Sequence, residues 1–352
     1  MSDTFTLNGR SIGGDSPCFL IAEVAQAHDG SLGIAHSFID AIADAGADAV
    51  KFQTHIADAE STLDEEFRIK FSREDKTRHA YWKRMEFTPE QWDGLSRHAA
   101  ERGLVFLSSA FSPEAVDLLE KLQMPAWKVG SGETNNPELL ARMMGTGKPI
   151  LLSTGMSTVA EISDTVDLVR ANQNALALFQ CTSRYPAPLE QVGLNILEEF
   201  HQKFRVPVGL SDHTASIYPS LAAMAGRASL VEIHVTFNKS MFGPDTSSSL
   251  TLEELKQLAE ARDAFHLMKA NPVNKDEQAK SLSPMRSLFN KSVALKAPQR
   301  KGQIITRDMI TTKKPGTGIH AKDLEKCIGL QLTRDMPSDV LLRWEYLRSV
   351  DQ

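Results

Sequence analysis

About eight short apolar segments recur along roughly the first 270 residues, and each is followed by a longer stretch with helical spacing. The apolar segments are Phe19–Ala25, Ala49–Gln53, Val105–Ser108, Ala126–Val129, Pro149–Ser153, Leu176–Cys181, Val206–Gly209 and Leu230–His234. After Ser31, a good N-cap, the apolar residues Ile34, Phe38 and Ile42 keep the period of a helix. Pro89-Glu90 opens a second helical stretch over Phe87–Gly103, and Glu253–Met268 closes the series. About eight strand–helix units in this length is the arithmetic of a (β/α)8 TIM barrel. An open doubly wound sheet is the alternative. No Gly-x-Gly-x-x-Gly follows the first strand, which weakens the dinucleotide-binding version of it. Ahead of the series, Asn8-Gly9 sits between Phe5-Thr6-Leu7 and Arg10-Ser11-Ile12, a strong two-residue hairpin signal.

Two regions stand outside this rhythm. Ile56–Glu86 carries no clear element, as a long βα loop near an active site would. Beyond residue 270 the pattern changes: 271–284 reads as a polar linker, and 285–352 as a small, mostly β domain with short segments such as Ser292–Leu295 and Gln303–Ile305. A domain of that size folds marginally alone and is expected to lean on the barrel or on another subunit. The whole chain, at 41% hydrophobic and 24% charged, has an ordinary globular balance. Its net charge of −6, with no long Lys/Arg run, argues against nucleic acid or a membrane surface as partner. Cys18, Cys181 and Cys327 are odd in number and far apart, so no disulfide framework is expected and a reducing cytoplasm fits. The opening MSDTFTLNGR has no basic region followed by an apolar run, and no stretch reaches transmembrane length.

Polar residues fall at strand positions where apolar ones would be routine. Side chains alternate across a strand, so every second residue faces a barrel interior. Glu23 shares a face with Ile21 and Ala25, Lys51 with Gln53, and Glu232 with His234. Lys128, Ser153 and Cys181 end strands; Ser131, Glu133, Ser183, Ser211 and His213 follow strands. C-terminal strand ends are where barrel enzymes place their sites. Two imidazoles, His213 and His234, at the tops of neighbouring strands can meet one divalent metal and leave room for substrate and water. No Cys or carboxylate is placed beside them by strand-end position, so they are expected to be the only protein ligands. Each residue also has a plain structural reading: Glu23 as the partner of an interior lysine, a lone histidine as a satisfied core side chain, and loop serines as ordinary turn residues.

Several runs now add up: Ile21-Ala22-Glu23, Lys51-Phe52-Gln53-Thr54, Lys128-Val129-Gly130-Ser131-Gly132-Glu133, Leu152-Ser153-Thr154-Gly155-Met156, Cys181-Thr182-Ser183, Tyr185-Pro186, Gly209-Leu210-Ser211-Asp212-His213-Thr214 and Gly243-Pro244-Asp245, in that order. They strongly resemble the N-acetylneuraminate synthase family, with its legionaminate, pseudaminate and spore-coat relatives, over nearly the whole chain. The tail, with Lys301-Gly302, Asp308-Met309 and Lys314-Pro315-Gly316, is similar to that family's C-terminal SAF, or antifreeze-like, domain.

The resemblance implies a synthase joining phosphoenolpyruvate to N-acetylmannosamine or a related aldose. It implies that Lys51, Ser109, Lys128, Ser131, Ser153, Ser183 and Ser211 bind phosphoenolpyruvate, and that His213 and His234 hold Mn²⁺ or Mg²⁺. It implies that Glu133 orients or deprotonates the water that adds at carbon 2. It further implies that Glu23, catalytic with Glu133, His213 and His234, contacts the sugar together with Gln53, Tyr185, Asp245 and Lys314, and that a swapped homodimer brings Lys314 from the partner. The chain departs from the family pattern at Lys314, where Arg is usual, and at Ala27, Gln180, Ser183 and Ile233. Phosphoenolpyruvate-side and metal positions are mostly kept while sugar-side positions drift. Two rivals remain: a Schiff-base aldolase or other phosphoenolpyruvate-using barrel synthase, and a carbohydrate-binding protein without catalysis.

Overall fold

The computed structural model describes residues 3–67 and 70–350, which divide into two compact units at Ala270/Asn271. In the first unit, the turn at Asn8 and Gly9 closes an antiparallel hairpin of β1 (Thr4–Leu7) and β2 (Arg10–Gly13). Both turn residues have positive φ, +46° and +79°, the backbone that Asn-Gly supplies at little cost. Eight parallel strands follow: β3 (Phe19–Ala25), β4 (Ala49–Thr54), β5 (Val105–Ala110), β6 (Trp127–Val129), β7 (Ile150–Ser153), β8 (Leu176–Cys181), β9 (Val208–Asp212) and β10 (Leu230–Thr236). They pair in sequence order, and β10 pairs with both β9 and β3, which closes the barrel.

Alternation along the strands sorts the core into two layers. One parity faces the helices and builds the larger cluster, with Phe52, Trp92, Phe106 and Trp127. The other faces inward and builds a smaller cluster of Phe19, Ile21, Ala49, Val105, Leu107, Ala126, Leu151, Phe179 and Leu230, joined by Leu7 and Ile12 of the hairpin. The hairpin therefore packs against the lower interior of the barrel. Two residues further along each strand, the same inward parity turns polar: Ile21 is followed by Glu23, Ala49 by Lys51, Leu107 by Ser109, Ala126 by Lys128, Leu151 by Ser153 and Leu230 by Glu232.

The seventh barrel strand starts and ends later than expected, at Val208–Asp212 rather than Val206–Gly209. Pro207 carries no N–H for a ladder, and its carbonyl instead accepts from Leu178 N. Ser211 is thus inside the strand, not after it. The eighth strand also runs on, past the expected end at His234 to Thr236. The segment Ile56–Glu86 is not without elements: helices Ala57–Glu60 and Arg78–Met85 lie in it, while its residues 68 and 69 fall outside the described ones.

In the second unit the stretch read as a polar linker is helical, Lys275–Ser281 followed by Ser283–Phe289. Asn274 caps the first of these, its side chain accepting from Asp276 N and Glu277 N. Beyond them, Ser292–Leu295 pairs antiparallel with Ile310–Lys313. A separate core of Val293, Leu295, Ile305, Ile310, Cys327, Leu332 and Leu342 holds this unit together. Among the described residues no helix is long and apolar enough to cross a membrane.

Candidate active site

The strand register sets the inward polar residues side by side. Glu23 is aligned with Lys51 on one neighbour and with His234 on the other. Ser109 is aligned with Lys128, and Ser211 with both Cys181 and Glu232. All of these side chains are buried, so their charges meet in a low-dielectric interior and must satisfy one another.

They do so in one connected network. Lys51 Nζ donates to Glu23 Oε1 at 2.6 Å and to Ser109 Oγ at 3.3 Å, and lies 3.5 Å from Glu232 Oε2. Lys128 Nζ donates to Ser153 Oγ at 2.6 Å and lies 3.2 Å from Glu232 Oε1. Ser211 Oγ donates to Glu232 Oε1 at 3.0 Å. Burial alone would raise the Glu23 carboxyl. The Lys51, His234 and Lys128 charges outweigh it and hold that carboxyl well below the usual range. Lys51, which burial would push down, is raised by Glu23 and Glu232.

Next to the lysines lies a small-residue cradle. Ser131 Oγ accepts from Gly155 N at 3.0 Å and donates to Cys181 Sγ at 3.7 Å. A Cβ on residue 155 would come within 2.6 Å of Ser183 Oγ and 3.0 Å of both Cys181 Sγ and Ser131 Oγ. Only glycine leaves room between these hydroxyls for an anion.

The two histidines stand on the other side of Glu23 and Ser211. Their ring centroids are 5.3 Å apart. His213 Nδ1 donates to the Thr182 carbonyl at 3.0 Å, which fixes the ring and leaves Nε2 beside Tyr185 Oη at 3.2 Å. His234 Nε2 lies 3.4 Å from Glu23 Oε2, and its Nδ1 is buried with no hydrogen-bond partner among the described residues. A spacing of this size, one oriented ring and one orphaned ring nitrogen fit a divalent ion held by two imidazoles. Among the described residues no group of three or more His, Cys, Asp or Glu side chains is arranged to hold a metal, so water and substrate oxygens would complete such a shell. Near the pair, Glu23 Oε2 lies 3.4 Å from His234 Nε2, and Cys181 Sγ lies 3.8 Å from His213 Nδ1. Burial works against charge on Cys181 and His213 alike. Their mutual contact outweighs it, lowering the thiol and raising the imidazole.

Residues 38–273 of the chain match the NeuB family. The chain belongs to the NeuB family. Within this NeuB-family chain, residues 290–348 match the SAF domain. The N,N'-diacetyllegionaminic acid synthase of Campylobacter jejuni is 34% identical over 330 residues, spanning 92% of this chain and 98% of that protein. The human N-acetylneuraminate-9-phosphate synthase is 34% identical over 318 residues, 87% of this chain and 85% of that one. Among solved structures, the N-acetylneuraminic acid synthetase of Leptospira borgpetersenii in complex with citrate aligns with a TM-score of 0.71 at 26% identity, covering 81% of this chain and 97% of that one.

Of the residues singled out from the sequence, Glu23, Lys51, Gln53, Ser109, Lys128, Ser131, Ser153, Ser183, Tyr185, Ser211, His213 and His234 come together. Among the described residues Glu133 and Asp245 form no hydrogen bond with the network, and Lys314 lies in the other unit. Glu133 is half-buried after β6, with Oε2 accepting from Asn136 Nδ2 at 2.9 Å. Asp245 is half-buried at the head of the short Thr246–Ser248 helix, its charge felt by Tyr185. Lys314 belongs to the second unit, its ammonium 5.0 Å over the Phe289 ring. Sequence reading placed Glu232 on one face with His234 but gave it no role, and it is the carboxylate bridging both lysines. Its signal was present, an acidic residue two places before His234 on an otherwise apolar strand.

Proposed function

We propose that this chain condenses phosphoenolpyruvate with N-acetylmannosamine or a closely related aldose to give a nonulosonic acid and phosphate. The observation that carries the reading is the paired buried ammonium groups of Lys51 and Lys128, beside a hydroxyl cradle and the His213/His234 pair, at the C-terminal ends of barrel strands. Two ammonium groups with Ser109, Ser131, Ser153, Ser183 and Ser211 suit a small polyanion in a water-poor pocket. The named synthases among the relatives support the same class.

In this reading carbon 3 of phosphoenolpyruvate forms a bond to the sugar's aldehyde carbon, whose oxygen takes up a proton. Water adds at carbon 2, and the tetrahedral adduct expels phosphate by C–O cleavage. A divalent ion, Mn²⁺ or Mg²⁺, held by His213 and His234 would supply a Lewis acid for the aldehyde oxygen. Lys51 and Lys128 hold the phosphate and carboxylate throughout. Glu133 is assigned the water, because Glu23 and Glu232 are already committed to ammonium groups. Gln53, Tyr185 and Asp245 contact the sugar hydroxyls, and Lys314 of a partner subunit contacts its acyl group. Large exposed apolar side chains on the second unit's leading helices, Leu282, Met285, Leu288 and Phe289, support assembly into a homodimer.

The test is release of inorganic phosphate from phosphoenolpyruvate across a panel of aldoses, 2-acetamido sugars among them, with the product identified by mass. Release should stop on chelation and return with Mn²⁺. Silence with every aldose would overturn the reading. A borohydride-trapped adduct of pyruvate on Lys51 or Lys128 would instead make the chain a Schiff-base aldolase.

A further inference from the structure

Just beyond β4, outside the network described above, His55 is buried between two flat aromatic rings. Trp82, from the helix Arg78–Met85, stacks on one face with ring centroids 3.8 Å apart at 12°. Phe111, just after β5, stacks on the other at 4.5 Å and 2°. In the ring plane both nitrogens face oxygen: Nδ1 lies 2.6 Å from Glu60 Oε1, and Nε2 lies 3.4 Å from Gln53 Oε1. Gln53 in turn reaches the catalytic cluster, its Nε2 donating to Glu23 Oε1 at 2.8 Å.

The polarity of this chain of contacts is determined from its two ends. Glu23 Oε1 receives the Lys51 ammonium group at 2.6 Å, so this oxygen is an acceptor. The end of the Gln53 amide that meets it must therefore be the NH₂, and the opposite end must be the carbonyl. That carbonyl receives Gln26 Nε2 at 3.2 Å, and His55 Nε2 faces the same oxygen at 3.4 Å. At the far end Glu60 needs a donor from Nδ1. A neutral imidazole has one N–H and cannot serve both. An imidazolium serves both, and its charge is compensated by the Glu60 carboxylate and by the aromatic faces above and below. Without it, Gln53 Oε1 would face a ring lone pair, and a flipped amide would set its carbonyl against the Glu23 carboxylate.

We propose that His55, carried as an imidazolium between Glu60, Trp82 and Phe111, is a positioning residue that fixes the Gln53 amide and thereby selects a sugar whose oxygen accepts from the second N–H of Gln53. The proposal rests on the function given above for the acceptor side of the site. His55 touches no substrate; it acts through Gln53. Arg78, 5.2 Å over the Trp82 ring, and His28, whose imidazole is lowered by burial and by the charge of His55, are further titratable or charged groups near this stack.

Two variants and one spectroscopic measurement decide it. His55→Phe keeps an aromatic ring in the stack and removes both donors; Glu60→Gln keeps the histidine and removes the counter-charge. In each, the KM for the aldose should rise roughly tenfold, the worth of about one hydrogen bond, while the KM for phosphoenolpyruvate stays within about twofold. In the full-length protein labelled with ¹⁵N-histidine, the resonances lost in His55→Phe should report two protonated ring nitrogens near neutral pH, and one in Glu60→Gln. A neutral His55 ring in the unaltered protein overturns the proposal, as does an unchanged aldose KM in both variants or an equal rise in both substrates' KM. Should His55→Phe fail to fold, Glu60→Gln and the ¹⁵N spectrum still decide. Failure of the unaltered protein to release phosphate with any aldose would sink the function instead, and the imidazolium would stand or fall on the spectrum.

Discussion

Glu232 shows how a single buried carboxylate sets the charge state of the pocket. Its two oxygens lie 3.5 Å and 3.2 Å from the Lys51 and Lys128 ammonium groups, and Glu23 adds a second negative charge on Lys51. Before an anion arrives, two carboxylates therefore balance two ammonium groups. Glu232→Gln keeps the size and the acceptor for Ser211 but leaves one ammonium group uncompensated. Removing one partner of a buried pair costs on the order of 3 kcal/mol, so the variant should melt earlier in anion-free buffer. Added inorganic phosphate should then raise its melting temperature by more than it raises that of the unaltered protein, because the anion replaces the lost charge. Equal phosphate-induced shifts in the two proteins would contradict this. The charged members of the site were legible because strand alternation leaves little choice: a lysine between Val50 and Phe52, on a parity that elsewhere reads Ala49, has only the interior to face. Glu133 and Asp245 were less legible. They lie in loops, where no period ties a side chain to a face, and local hydrogen bonds such as Asn136 to Glu133 compete for them.

At the level of elements, the helix ends were written in the sequence and the strand ends less so. Thr88 caps the helix Pro89–Glu101 in a reciprocal box: Thr88 Oγ1 accepts from Gln91 N, and Gln91 Oε1 accepts from Thr88 N. The box is exposed and touches nothing in the pocket. Thr88→Ala should cost about 1 kcal/mol, lower the melting temperature by roughly 2–4 °C, and leave both substrates' KM values unchanged. An altered KM would mean that this helix transmits strain to the site. The strand ends were missed for a reason specific to barrels. Polar residues such as Ser211 and Asp212 look like loop residues in a window of sequence, yet in a closed barrel the ladder continues through them and their side chains find buried partners. The stretch 271–284 misled in the opposite way. Its Pro and charges read as a linker, while Asn274 and the acidic first turn of Asp276 and Glu277 form a sound helix start.

For the molecule as a whole, the division of cores decides which part can stand alone. The buried residues of the two barrel clusters end at Ala259, with Phe265 packed against them, and those of the second unit's cluster run from Val293 to Leu342. No buried core residue is shared between them. The chain cut after Ala270 should therefore keep a cooperative thermal transition and its helical circular dichroism, with the lysine, histidine and glutamate network intact. Phosphoenolpyruvate-dependent phosphate release should nevertheless be lost, because in the proposed assembly the second unit supplies Lys314 to the sugar side of a partner's barrel. Adding back the isolated second unit should not restore release if pairing needs the covalent chain. Lys314 offers a point charge where an arginine would offer a planar fork, so it should discriminate only modestly between N-acetylmannosamine and mannose. Lys314→Arg in the full chain should widen the ratio of their kcat/KM values by several-fold, on the order of one extra charged hydrogen bond. A truncated barrel with full activity, or a Lys314→Arg variant with an unaltered sugar ratio, would show that selection is made within the barrel, by Gln53, Tyr185 and their neighbours alone.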